Sequence, residues 1–236
     1  MDANAHPEVG ASRQRPFGVR TLRWYSWGSN LIEECTLTKL LVATNNPGKV
    51  REFQALLAGL ALEITFLAQE GLVLEVEESG GTFAENARIK AAAYAQASGL
   101  PTLADDSGLE VDALGGAPGV RSARYADPDA DDADRYHKLL AALEDVPAGQ
   151  RSARFRCTVA LALPDGTIHT ADGVCEGEIG FAPRGQHGFG YDPVFVVAGS
   201  AGQTMAELPE DEKNRISHRA RAVIAMRPLL ARVLSE

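Results

Sequence analysis

Cysteine is scarce in this chain: Cys35, Cys157 and Cys175 make an odd count with no Cys-x-x-Cys pair. That excludes a disulfide framework and a cysteine-rich zinc site, and a reducing, cytoplasmic setting is the simplest expectation. Long apolar runs are missing as well. No stretch approaches the roughly 20 residues of a membrane span, and the N-terminus lacks the apolar segment of a secretory signal. Positive charge is in deficit, because 23 Lys and Arg against 32 Asp and Glu leave a net charge of −9. Overall charge therefore excludes a coat for polymeric nucleic acid or anionic membrane, but not one concentrated phosphate site. Aromatics are few, and both tryptophans, Trp24 and Trp27, fall beside Tyr25 in the first 36 residues.

Residues 1–36 stand apart. They carry Arg13, Arg15, Arg20 and Arg23 against few acids and show no sustained period. Termini of this kind are commonly tails. We take 1–36 as an N-terminal extension, either a flexible tail or a start assigned too far upstream, whose aromatic cluster leaves a docking role open. Residues 37–236 then form the folded domain. The chain is 45% hydrophobic and 23% charged, which excludes general disorder, and it is long enough to bury a core without staples.

From residue 39 the pattern alternates strand and helix. Residues 39–43 (KLLVA) are a short apolar run closed by a turn signal, which predicts a buried strand. Val50, Phe53, Leu57 and Leu60 follow at helical spacing, with Asn46 as N-cap and Pro47 as first helical residue. Residues 62–67 are the next strand. Residues 82–98 read as an Ala-rich helix with Phe83, Ala87, Ala91, Tyr94 and Ala95 inward and Gly99 as its stop. A short strand over 102–104 is expected to run out into Asp105-Asp106-Ser107-Gly108. Residues 131–143 predict a helix with Tyr136, Leu139, Leu140 and Leu143 on one face. Phe155, Cys157, Val159, Leu161 and Leu163 alternate as a half-buried strand does, and Asp165-Gly166 signals a hairpin. Residues 193–197 form a further strand. From Ser217 a terminal helix begins, which Pro228 should kink or restart. The order predicts an α/β fold.

Four segments carry chemistry. Thr44-Asn45-Asn46-Pro47-Gly48-Lys49 joins a strand to a helix, where backbone N–H groups suit phosphate and Lys49 adds charge. It lacks the G-x-x-x-x-G-K-[ST] pattern, so alone it is equally an ordinary turn. Asp105-Asp106-Ser107-Gly108 sets two carboxylates side by side, an arrangement suited to Mg²⁺ and to proton transfer from water, or to a solvated turn. Glu77-Glu78-Ser79-Gly80 is a second acidic group, and a solvated loop is the simpler account of it. Gly188-Phe189-Gly190-Tyr191-Asp192-Pro193 lets backbone and ring approach a planar ligand, or forms a glycine-rich turn. Lys213 with Ser217-His218-Arg219 could meet phosphate and a base edge, or serve as surface charge and helix cap. His137, His169 and His187 have no metal-ligand spacing.

Together these pieces resemble the inosine/xanthosine triphosphate pyrophosphatase family. The resemblance runs from about Lys39 to the C-terminus and rests on TNNPGKVREF, GTFAENARIKA, LADDSGLEVDALGGAPGVRSARYA, GFGYDPVF and EKNRISHRA, in that order. It implies an elongated two-lobed α/β fold, with a central mixed sheet flanked by helices and a nucleotide cleft between the lobes. It implies Mg²⁺-dependent hydrolysis of dITP, ITP and XTP to monophosphate and pyrophosphate, usually by a homodimer. Carried over residue by residue, Thr44, Asn45, Asn46, Pro47, Gly48 and Lys49 wrap the triphosphate, and Lys90 faces the phosphates. Glu78 and Asp106 hold the metal, Asp106 also accepts the proton, and Asp105 is a further candidate ligand. Ser107 touches substrate. Phe189, Gly190, Tyr191 and Asp192 bind the base, and Lys213, His218 and Arg219 supply the remaining contacts.

Two rivals share the cleft logic: a house-cleaning pyrophosphatase for modified pyrimidine nucleotides, and a nucleotide sensor without hydrolysis. The acids Glu78, Asp105 and Asp106 argue against a pure sensor. A dinucleotide oxidoreductase is disfavoured because no G-x-G-x-x-G follows the first strand.

Overall fold

The computed structural model describes residues 19–23 and 34–234. The extension expected over 1–36 lies for the most part outside the described residues. Within it, Val19–Arg23 (β1) pairs antiparallel with the start of Glu34–Val42 (β2). Pro47–Leu57 (α1) then leads to Leu62–Phe66 (β3), parallel to β2, and Phe83–Ser98 (α2) to Thr102–Val111 (β4), parallel to β2 on its other side. Asp132–Ala142 (α3) precedes Ser152–Ala162 (β5), Ile168–Ile179 (β6) and Phe195–Val197 (β7), which continue the sheet antiparallel. Glu210–Ile216 (α4) and His218–Leu234 (α5) follow. The sheet is mixed and seven-stranded, in the order β1-β2-β4-β5-β6-β7 with β3 also on β2.

Local chemistry explains the elements. Asn46 caps α1 with Pro47 in its first turn, and Thr82 and Glu85 form a reciprocal capping box on α2, which Gly99 stops in the left-handed conformation. On β2, Leu40 and Val42 face α1 and α5, whereas Leu41, with Ala43 just past the strand, faces α2. Burial on both faces is why KLLVA is a continuous apolar run. Ala87, Ala91 and Ala95 bring α2 close to Ala104, Ala160 and Ala162 of the sheet. A separate core gathers Leu109, Val111, Phe155, Cys175 and Phe195 with Leu139 and Leu143 of α3. Strands β4, β5 and β6 run through both regions, which makes the two lobes.

Several expectations are corrected. Strand β4 does not stop at residue 104. Its pairing with β5 continues through Asp105, Asp106 and Ser107, opposite Val159, Thr158 and Cys157, so the aspartates lie mid-strand. Strand β5 alternates only in its first half, because residues 157–162 are covered on both faces. The run 193–197 divides into a 3₁₀ turn and a three-residue strand. Helix α4 lies where no helix was expected, and α5 continues through Pro228. Gly173 of β6 sets the height of α5: a Cβ there would lie 2.1 Å from the His218 carbonyl oxygen and 2.5 Å from Ala222 N. No described helix is long and apolar enough to cross a membrane.

Candidate active site

The functional groups gather at the middle of β4. Asp105 and Asp106 are consecutive in extended chain, so their side chains leave on opposite faces. Asp105 is enclosed. Lys49 Nζ lies 3.0 Å from its Oδ1. Arg219, in the first turn of α5, donates to its Oδ2 from Nε at 3.1 Å and from Nη2 at 3.0 Å. Arg219 also reaches Ser107 Oγ at 2.8 Å and bonds Glu52 of α1 through Nη1. Glu52 pairs with Lys213 at 2.8 Å, and Lys213 with Asp192 at 2.6 Å. Lys49, Asp105, Arg219, Glu52, Lys213 and Asp192 thus form one run of alternating charge, buried except at Lys49. Burial alone would raise the Asp105 and Glu52 carboxyls. For Asp105 the opposing cations are Lys49 and Arg219, for Glu52 they are Arg219 and Lys213, and both carboxyls end below the usual range. The Asp105 oxygens are taken by Lys49, Arg219 and the Ser107 hydroxyl.

Asp106 faces a cleft. Asn86 Nδ2 donates to its Oδ2 at 3.1 Å and Lys90 Nζ to its Oδ1 at 3.2 Å. The same ammonium lies 3.2 Å from Glu78 Oε1. Burial pushes the Asp106 carboxyl above its ordinary range; Lys90 opposes this, the Glu78 charge adds to it, and the Asn86 hydrogen bond opposes it again. A carboxyl displaced upward is suited to accept a proton from water. Two carboxylate oxygens here already share one cation, so the donor set fits a hard divalent ion. Among the described residues no cluster of three or more His, Cys, Asp or Glu forms a metal cage. A cation on Glu78 and Asp106 would complete its shell with water and phosphate oxygens, as Mg²⁺ does.

The remaining predicted residues form the other part of the cleft. The Phe189 ring lies on Gly48 at the start of α1, where a Cβ would come within 2.4 Å of its Cδ1. Lys213 Nζ sits 4.7 Å from the centre of that ring. Asp192 Oδ2 accepts from the Phe189 N–H at 2.9 Å as well as from Lys213. His218 stacks on Phe155, with ring centroids 4.7 Å apart and planes 15° from parallel. Burial, then Arg219 and Lys213, hold its imidazole well below the usual histidine range, so it is neutral. Its buried Nδ1 has no partner, an unmet hydrogen-bonding group in the wall of the cleft. The cleft encloses about 310 Å³, with Lys49, Glu78, Lys90, Asp106, Phe189 and His218 among its lining.

The turn before α1 differs from expectation in one respect. Asn46 Oδ1 accepts from Gly48 N–H at 2.8 Å and Lys49 N–H at 3.1 Å, so these amides are capped. The turn presents the Lys49 side chain, with Thr44 half-buried and Asn45, Asn46 and Pro47 exposed. Sequence reasoning missed Glu52, Asn86, Phe155 and Asp132. A signal existed for two of them: Glu52 follows Lys49 by three residues and Asn86 precedes Lys90 by four, spacings that share a helix face.

Residues 40–229 match the Ham1 family. The chain belongs to that family. The match spans the whole site, from Lys49 to Arg219. A dITP/XTP pyrophosphatase of Methylococcus capsulatus is 54% identical over 193 residues, 80% of this chain and 95% of that protein. One of Geobacillus kaustophilus is 51% identical over 187 residues, 79% of this chain and 91% of that protein. The solved HAM1 protein of Coxiella burnetii superposes with a TM-score of 0.75 at 45% identity, covering 83% of this chain and 99% of that one. The mixed sheet with flanking helices is thus the Ham1 fold.

Proposed function

We propose that this protein hydrolyses the non-standard purine nucleoside triphosphates dITP, ITP and XTP to the monophosphate and pyrophosphate. The observation that carries the reading is one cleft lined both by Asp106, with Glu78 and Lys90 beside it, and by Phe189 and a His218 whose buried Nδ1 is unmet. The names of the relatives in Methylococcus and Geobacillus support the substrate class.

Glu78 and Asp106 would hold Mg²⁺, which would withdraw charge from the phosphate oxygens. The triphosphate lies along Lys49 and Lys90. Asp106 takes a proton from the water that attacks the α-phosphorus. The bond from that phosphorus to the bridging oxygen breaks, and pyrophosphate leaves with its charge met by the two lysines. At the other part of the cleft Phe189 stacks on the base. A donor aimed at a 6-keto oxygen would face a donor in adenine. Each such mismatch costs about 1–3 kcal/mol, and about 1.4 kcal/mol is tenfold in selectivity.

On this reading residues 37–236 are the catalytic unit and 1–36 an extension to it, which the family match from residue 40 supports. The protein acts in the cytoplasm as a homodimer. The test is pyrophosphate release from ITP, XTP, dITP, GTP, ATP, dUTP and dTTP, with and without Mg²⁺. Metal-dependent release confined to the first three is expected. A preference for dUTP or dTTP would move the protein to the pyrimidine enzymes, and ITP binding without release would make it a sensor.

A further inference from the structure

We propose that Asp132, at the start of α3, is a positioning residue that holds the base-binding segment in place and so sets affinity for the purine; the identity of the base rests on the reading above. Asp132 lies outside all five sequence blocks that carry the family resemblance. Its Oδ2 nevertheless accepts the Gly190 N–H at 2.7 Å, across 58 residues of chain. Its Oδ1 accepts from Arg135 Nη1 at 2.7 Å, and Arg135 Nη2 is fixed in turn on the Ala130 carbonyl at 2.6 Å. The carboxylate is thereby oriented from both oxygens.

The segment 188–192 has other tethers, which all run through Tyr191 and Asp192 and leave the Gly190 N–H to Asp132. Asp192 bonds Lys213 and the Phe189 N–H, and the Tyr191 hydroxyl donates to the Ser122 carbonyl at 2.8 Å. Tyr191 and Asp192 are buried, whereas Phe189 and Gly190 are only half-buried. Gly190 adopts φ +64°, a conformation open to glycine at little cost. Asp132 therefore grips the more exposed and conformationally freer end, one peptide from the ring that faces the base. A charge-assisted bond there fixes the peptide plane between Phe189 and Gly190.

The variants keep the fold. The Asp132 side chain is 48% exposed, and α3 is capped by Asp131 instead. ITP affinity is measured in EDTA, to hold hydrolysis off, for the unaltered protein, Asp132→Ala and Asp132→Asn. Inorganic tripolyphosphate serves as the ligand without a base. Loss of the tether in Asp132→Ala should weaken ITP about five- to tenfold. Asp132→Asn, whose amide oxygen can still accept from Gly190, should stay within about twofold. Tripolyphosphate affinity should not change in either. Unchanged ITP affinity in Asp132→Ala, or an equal loss for tripolyphosphate, would overturn the proposal. Turnover of ITP by the unaltered protein with Mg²⁺ tests the pyrophosphatase reading separately. Binding without turnover overturns that reading while the affinity ratio still decides the role of Asp132, and failure to bind ITP both in EDTA and with Mg²⁺ overturns both.

Discussion

On one face of β4 the Asp105 side chain is 1% exposed and enclosed by Lys49, Arg219 and Ser107. On the other face Asp106, hydrogen-bonded by Asn86, forms the wall of a cleft with Lys90 and Glu78. The two residues share a type, a strand and a peptide bond, and their carboxyls are displaced in opposite directions. The difference lies in how many cations each one owns. Asp105 has two close cations, Lys49 and an Arg219 that it shares with Glu52, and no competing anion among its main perturbers. Asp106 shares its one hydrogen-bonded lysine with Glu78. A carboxylate satisfied on every side can only anchor, whereas one left short of positive charge can bind a metal or take a proton.

The comparison can be broken from either side. Asp105→Ala should have the largest effect, because it leaves Arg219 short of a partner in the interior. A loss of about 3–5 kcal/mol is expected, read as the denaturant midpoint, with activity falling as folded protein is lost. Asp106→Asn should do the reverse. Thermal midpoint and ITP affinity should stay near those of the unaltered protein while kcat falls about a hundredfold to ten-thousandfold. Near-normal turnover in that variant would remove Asp106 from the chemistry.

A smaller effect separates the two regions by pH. His218 is held below its unfolded value of about 6.5, so the unfolded chain gains a proton that the folded one refuses. Its contribution to stability is full above that pH and is lost as pH falls toward the folded value, by up to about 1.4 kcal/mol per unit. Asp105 and Glu52, held low in the folded state, withdraw their contribution only below about pH 4. Asp106 and Asp192, raised by burial, act in the opposite sense. The measurement is therefore the difference between the unaltered protein and His218→Gln in urea midpoints from pH 7.5 to 5, where the variant should show the shallower decline. Equal slopes would mean that His218 takes up its proton as readily in the fold as in the unfolded chain.

Much of this was legible beforehand. Helices α1, α2 and α3 follow from their caps and apolar spacing, because capping and periodicity are local. The ends of β4 and β5 were not. Asp-Asp-Ser-Gly has the composition of a turn, and only pairing with β5, a partner some fifty residues away, keeps it extended. The site divides in the same way. Glu78, Asp106, Lys90, Phe189 and His218 line one cleft. The separate fate of Asp105 was hidden, since residue type does not reveal which face of a strand a neighbour will occupy. Glu52 and Asp132 were hidden because their partners, Arg219 and Gly190, are distant in sequence and close only once the lobes have formed.

The seating of α5 has a consequence for synthesis. Glu52 and Asp105 are translated early, while Lys213 and Arg219, which neutralise them, arrive near the end of the chain. Until α5 settles over Gly173, closing the sheet would leave Asp105 with Lys49 alone and Glu52 with Lys213 alone, each short of the Arg219 that completes its pairing. A message cut short before Lys213 would remove both cations of Glu52 and the Arg219 of Asp105, and such a chain should stay open and exposed to proteases. The last helix works as a keystone, and the fold itself distinguishes a finished product from a fragment.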